Sequence, residues 1–122
     1  METIFEMKDD ILIAKLFGEI DHHVAEKIRT DIDKTMDMYK AKNLVFDFAK
    51  VSFMDSSGVG IVLGRFKKIN IKDGQVVICG CDKFVERILY MSGVFSLMKK
   101  VDNGELAIEE ISNIEIGESH ER

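Results

Sequence analysis

Apolar residues change their spacing several times along this chain, and each change marks an element. Residues 4–7 and 11–17 are short apolar runs around the polar trio Lys8, Asp9 and Asp10, the pattern of an antiparallel hairpin. The second run is expected to stop at Gly18. From Asp21 the period lengthens: Val24, Ala25, Ile28, Ile32, Met36 and Tyr39 recur at helical spacing, with Asp21 placed to cap the helix. Residues 44–48 read as a compact strand, followed after a short connection by a helix over residues 57–72. Residues 76–79 are a nearly continuous apolar strand, the form a sheet takes when helices cover it. Phe84, Val85, Ile88, Leu89 and Met91 give the next helix a core face. Gly93 ends that helix before a strand near residues 97–101, and a last amphipathic stretch covers residues 105–111.

Strand and helix alternating in this way predict an α/β domain with a largely parallel sheet, to which the first hairpin adds an antiparallel edge. Residues 1–112 make one domain, since 122 residues suffice for one hydrophobic core and not for two joined by a linker. Residues 113–122 are polar and acidic and are expected to fray as a tail.

Composition narrows the function. Apolar residues at 46% and charged residues at 32% suit a globular protein. A net charge of −5, with lysines scattered among acids, argues against nucleic acid as the ligand. No basic start with an apolar stretch marks a secretory signal, and no apolar run could span a bilayer, so the expected place is the cytoplasm. Cys79 and Cys81 are too few for a disulfide framework and read as buried, reduced thiols. His22, His23 and His120 lack finger-like spacing from them, so no metal and no cofactor is expected.

The chemistry concentrates in Phe53, Met54, Asp55, Ser56, Ser57, Gly58, Val59 and Gly60, where a strand hands over to a helix N-terminus. The first helical turn leaves N–H groups unpaired and carries partial positive charge, so a phosphate on Ser56 would be tolerated there. Asp55, Ser56 and Ser57 could equally be plain caps, although no Glu or Gln follows three residues on to complete a capping box. Both readings stay open on spacing alone.

On a helical wheel Val59, Val62, Leu63, Phe66 and Ile69 gather towards the core, leaving Ser57, Gly60, Ile61 and Gly64 opposite. Each glycine costs a helix about 1 kcal/mol relative to alanine. A partner whose backbone approaches the small-residue strip, with Ile61 as apolar anchor, would offset that cost. Packing of the strip under another element of the same domain is the alternative. Arg65, Lys67 and Lys68 read as a solvated face, and Met91 and Phe95 as core or rim.

The block FMDSSGVGIVLGRFKKI (residues 53–69), with GEIDHH (18–23) and MSGVF (91–95), resembles the anti-sigma factor antagonists of sporulation and stress response, which are built on the STAS domain. The likeness is greatest to the sporulation branch. It implies a mixed sheet of about five strands with about four helices packed mainly on one side. It also implies that Ser56 is phosphorylated by an anti-sigma factor that is itself an ATP-binding serine kinase, and that a phosphatase reverses this. Unphosphorylated, the antagonist would bind the kinase and free the sigma factor. By the same resemblance Asp21 helps dock the kinase, with Glu19, His22 and His23 nearby. The expected partner contacts also include Asp55, Ser57 and Gly58 around Ser56, the strip of Gly60, Ile61 and Gly64, and Gly93. The domain would then be a substrate and regulator, not an enzyme, and a monomer when free. Two rivals remain: a metabolite-binding or transporter-associated STAS domain, and a serine hydrolase using Ser56 with His22 or His23, which lacks a nucleophile elbow and a concave pocket.

Overall fold

The computed structural model describes residues 3–120, with side chains through residue 115. Strand β1 (Ile4–Lys8) turns into β2 (Ile11–Ile20) as an antiparallel hairpin, with Asp9 at φ 53° in the turn. Then α1 (His22–Tyr39), β3 (Asn43–Met54), α2 (Ser56–Ile71), β4 (Val76–Cys79), α3 (Lys83–Met91), a 3-10 turn (Val94–Ser96), β5 (Lys99–Val101) and α4 (Gly104–His120) follow. The sheet runs β1-β2-β3-β4-β5, parallel from β2 onward.

Strands added one after another in one direction, each through a right-handed crossover, put every crossover helix on the same face. The two hydrophobic cores match that rule. Leu12, Ala14 and Leu16, Leu44, Phe46 and Phe48, and Val76 and Ile78 face Ile28, Ile32, Val62, Ile69, Val85 and Leu89 of α1, α2 and α3. The alternate residues Ile11, Ile13, Val45, Val77 and Cys79 face Ala107 and Ile111 of α4 on the other side. The middle strands are therefore buried on both faces, which explains their unbroken apolar runs. Asn43, fully buried, joins the layers: its amide donates to Asp10 Oδ1 at 3.2 Å and to Glu115 Oε1 at 2.9 Å, and its oxygen accepts from the Gln75 N–H at 2.8 Å.

Three elements differ from expectation. β2 does not stop at Gly18, because the glycine takes φ 76° within a ladder that shifts register twice, between Lys15 and Phe17 and between Gly18 and Glu19, and the strand continues. β3 runs on to Met54, with Phe48, Val51 and Met54 buried at every third position. A strand disturbed by bulges loses the period of two by which strands are recognised. The polar tail is helical to His120, not frayed from residue 113. Ala107 and Ile111 seat α4 in the second core, and Glu115 is tied to Asn43. Phe84 and Met91 also stand largely outside the core face assigned to them, 46% and 72% exposed.

Candidate functional site

β2 and β3 end side by side, with Ile20 paired to Met54 and the Asp55 N–H donating to the Ile20 carbonyl at 3.2 Å. One aspartate follows each strand and caps the next helix. Asp21 Oδ1 accepts from the His23 N–H at 2.9 Å and Asp55 Oδ1 from the Ser57 N–H at 2.8 Å. Two helix N-termini therefore start from neighbouring strands, about 5 Å apart in a sheet, at its carboxyl edge, where α/β sheets place their functional groups.

Ser56 is the first residue of α2 and its side chain is exposed. Ser57 behind it is half-buried. Among the described residues no hydrogen bond engages the Ser56 hydroxyl. The cap on α2 is made by Asp55, so Ser56 has no capping duty. Glu19, His22 and His23 are exposed around Asp21; the imidazole centres lie 4.0 Å apart and His23 Nδ1 is 3.6 Å from Asp21 Oδ2. Partial burial works against ionisation of Asp21. The His23 backbone N–H and the His23 ring outweigh it and hold the carboxyl below its ordinary range.

The α2 strip divides on inspection. A Cβ at Gly60 or Gly64 would meet no atom within 4 Å. At Gly58 a Cβ would overlap Met54 Cγ and come within 3.2 Å of Ile20 Cγ2, so this glycine serves packing beneath the helix. Ile61 is 4% exposed and joins the main core, so it is no exposed anchor. Arg65, expected on a solvated face, is 6% exposed, with Nε 2.9 Å from Asp33 Oδ1 of α1. The reason is shared: α2 packs on the sheet and also against α1, so its buried arc is wider than a one-sided wheel allows. Burial pulls the Arg65 guanidinium pKa down, and Asp33 opposes that.

Gly93 is not brought to this group. It takes φ 79° after the C-terminal end of α3, next to the turn whose Phe95 and Ser96 share a groove with Phe66 and Asn70. Sequence reasoning set Phe53 in the segment around Ser56 but passed over its partner Phe84; the two rings stack at 5.7 Å between centroids and are 38% and 46% exposed. The signal for Phe84 was an aromatic in the first turn of α3, masked by its assignment to the core face of that helix. Cys79 and Cys81 do not belong to the site; burial pushes both thiols up to about 12, leaving them protonated and weakly nucleophilic at neutral pH. Among the described residues no three His, Cys, Asp or Glu side chains gather as metal ligands.

Comparison with known proteins adds to this geometry. The STAS domain family model matches residues 3–109. The anti-sigma F factor antagonist of Paenibacillus polymyxa is 39% identical over 101 residues, 83% of this chain and 86% of the relative. That of Lysinibacillus sphaericus is 31% identical over 105 residues, 86% and 89% of the two chains. The structure of the anti-sigma factor antagonist SpoIIAA in its unphosphorylated form superposes with a TM-score of 0.80 at 31% identity, covering 92% of this chain and 97% of the other. The Bacillus cell fate determinant SpoIIAA in the phosphorylated form gives 0.72 at 31% identity, covering 90% and 99%.

Proposed function

The chain belongs to the STAS domain family, and we propose that it is an anti-sigma factor antagonist switched by phosphorylation of Ser56. The observation that carries this reading is the exposed Ser56 hydroxyl in the first turn of α2, which makes no hydrogen bond among the described residues. Its similarity to antagonists in both phosphorylation states supports the same reading.

The partner is an anti-sigma factor that is also an ATP-dependent serine kinase. Ser56 Oγ attacks the γ-phosphorus of ATP, the bond to the bridging oxygen breaks, ADP leaves, and the hydroxyl proton passes to a base of the kinase. A phosphatase returns the hydroxyl by hydrolysis. The reaction belongs in the cytoplasm, where ATP is available, and among the described residues no helix is long and apolar enough to cross a membrane. The domain acts as substrate and regulator, contributing no base of its own.

Before modification, the open Gly60–Gly64 strip and the capped starts of α1 and α2 face the kinase, and binding releases the sigma factor. A phosphoserine adds about −1.5 to −2 charge. The partial positive charge of the α2 N-terminus accommodates it, so the fold need not rearrange. On this surface, which Asp21 and Asp55 already make negative, the phosphate would have to be desolvated without a compensating partner when the kinase docks, so the phosphorylated form binds more weakly. A penalty of about 2.8 kcal/mol would weaken binding about 100-fold.

Incubation with ATP and the cognate kinase, followed by mapping of the phosphate by mass spectrometry, tests the reading. The phosphate is expected on Ser56. Ser56→Ala should lose labelling and keep kinase affinity, and Ser56→Asp should bind at least tenfold more weakly. Phosphate on another residue, or an aspartate variant that binds like the native protein, overturns it.

A further inference from the structure

Helix α1 is lightly held. Of its 18 residues only Ile28 and Ile32 are buried, with Ala25 and Met36 in partial contact with the core. Apolar contacts of this kind carry no direction, so they resist separation of two helices better than pivoting or sliding. At its N-terminal end the helix is fixed by β2, through Ile20 and the Asp21 cap. Twelve residues further on, about 18 Å along the axis, it meets a polar tie. Asp33 Oδ1 lies 2.9 Å from Arg65 Nε, and Asp33 Oδ2 lies 3.0 Å from Lys68 Nζ.

Arg65 is an unusual choice for that place. Its guanidinium is buried, its Nη1 reaches only the Ile61 carbonyl at 3.5 Å, and its Nε–H is directed off the carboxylate, so the contact is an ion pair without a hydrogen bond. A buried ion pair is often no more stabilising than an apolar residue of the same volume, and its best-attested use is to fix how elements register on one another. Stability alone therefore does not account for Arg65.

We infer that Arg65 is a positioning residue: through Asp33 it sets the seat of α1 against α2, and thereby the placement of Asp21, His22 and His23 beside Ser56. Both ends of α1 are tied, one through the Asp21 cap and the other through buried Ala41 and the Lys42 and Asn43 N–H groups that donate to the Asp10 carbonyl. The Arg65–Asp33 pair between them fixes the roll of the helix; without it α1 turns about its own axis, His22 and His23 present other faces, and the surface offered to the kinase changes shape. The inference rests on the Ser56 reading for its functional consequence, whereas its structural part stands apart from that reading.

The test compares Arg65→Met, Arg65→Lys and a control, Leu89→Ala, which removes a fully buried side chain from α3 away from the α1–α2 seam. In Arg65→Met the apolar chain fills the site and Asp33 keeps Lys68, so no charge is stranded. Kinase assays on folded protein should show KM for Arg65→Met raised at least fivefold with kcat within twofold of native. Arg65→Lys should restore KM to within twofold. Leu89→Ala should lower the unfolding midpoint and leave KM unchanged. The amide resonances of residues 22–24 should move in Arg65→Met and not in the control. A native KM with native resonances in Arg65→Met overturns the inference, as does a control that raises KM equally. If the native protein is not phosphorylated at Ser56, the functional reading fails, and the resonances alone still decide whether Arg65 seats α1.

Discussion

Gly58 and Gly60 stand two residues apart on α2, have no side chain to distinguish them in a sequence, and meet opposite surroundings. Under Gly58 lie Met54 and Ile20, close enough that any Cβ must displace one of them. Around Gly60 there is, beyond the adjoining residues and the helix's own backbone, no atom within 4 Å of where a Cβ would be. The first glycine is required by the fold: it lets α2 descend onto the strand ends that set the position of Ser56. The second costs helix stability with no internal packing in return, and in the proposed complex that bare position faces the kinase.

The most severe way to challenge this contrast is to fill the closed position. Gly58→Ala pushes a methyl group into Met54, whose side chain is 1% exposed and has no solvent to retreat into. Overpacking of this kind costs about 1–3 kcal/mol, a large share of the ~5–15 kcal/mol that holds a domain together. The urea midpoint should fall accordingly, while the affinity of the remaining folded protein for the kinase should change little. An unaltered midpoint would mean that Met54 yields freely and that Gly58 is not a packing residue.

Filling the open position should do the reverse. Gly60→Ala relieves the helix of a glycine and should raise stability by about 1 kcal/mol. It should also weaken kinase binding about tenfold, equivalent to about 1.4 kcal/mol, because the methyl holds the partner's backbone away. Gain in one measurement and loss in the other is the signature of a surface kept bare for a partner. A variant both more stable and equally tight in binding would leave the glycine without a function.

The same contrast explains what could be read from the chain beforehand. The cap at Asp21, the period of α1 and the run of β4 are local patterns, and the structure has them where the spacing put them; of the three candidate caps before α2 it takes Asp55. That Ser56 is exposed and Asp55 is the cap is a finding of the structure, which spacing alone had left open. What was not legible depends on neighbours distant in sequence. Ile61 and Arg65 were placed outside because a helical wheel assumes one buried side, and α2 has both the sheet and α1 beside it. The second half of β3 was hidden by bulges that break its alternation, and residues 113–120 read as a tail because nothing local announces that Glu115 will meet Asn43.

Gly64 supplies the finest test, because it lies one turn beyond Gly60 on the same open strip and is half-exposed. It is about 12 Å along the axis from Ser56, more than a Debye length at physiological salt, so the phosphate's charge is screened there and any effect must come from shape. Gly64→Ala should add up to about 1 kcal/mol of stability, as at Gly60, and weaken kinase binding less than threefold. Affinity would then fall off along α2 from Ser56 through Gly60 to Gly64, as expected of an interface centred on the helix start. Measured by isothermal titration, a loss at Gly64 larger than at Gly60 would shift that centre down the helix towards Lys68, and the charge of a phosphate on Ser56 would then be too remote to eject the kinase.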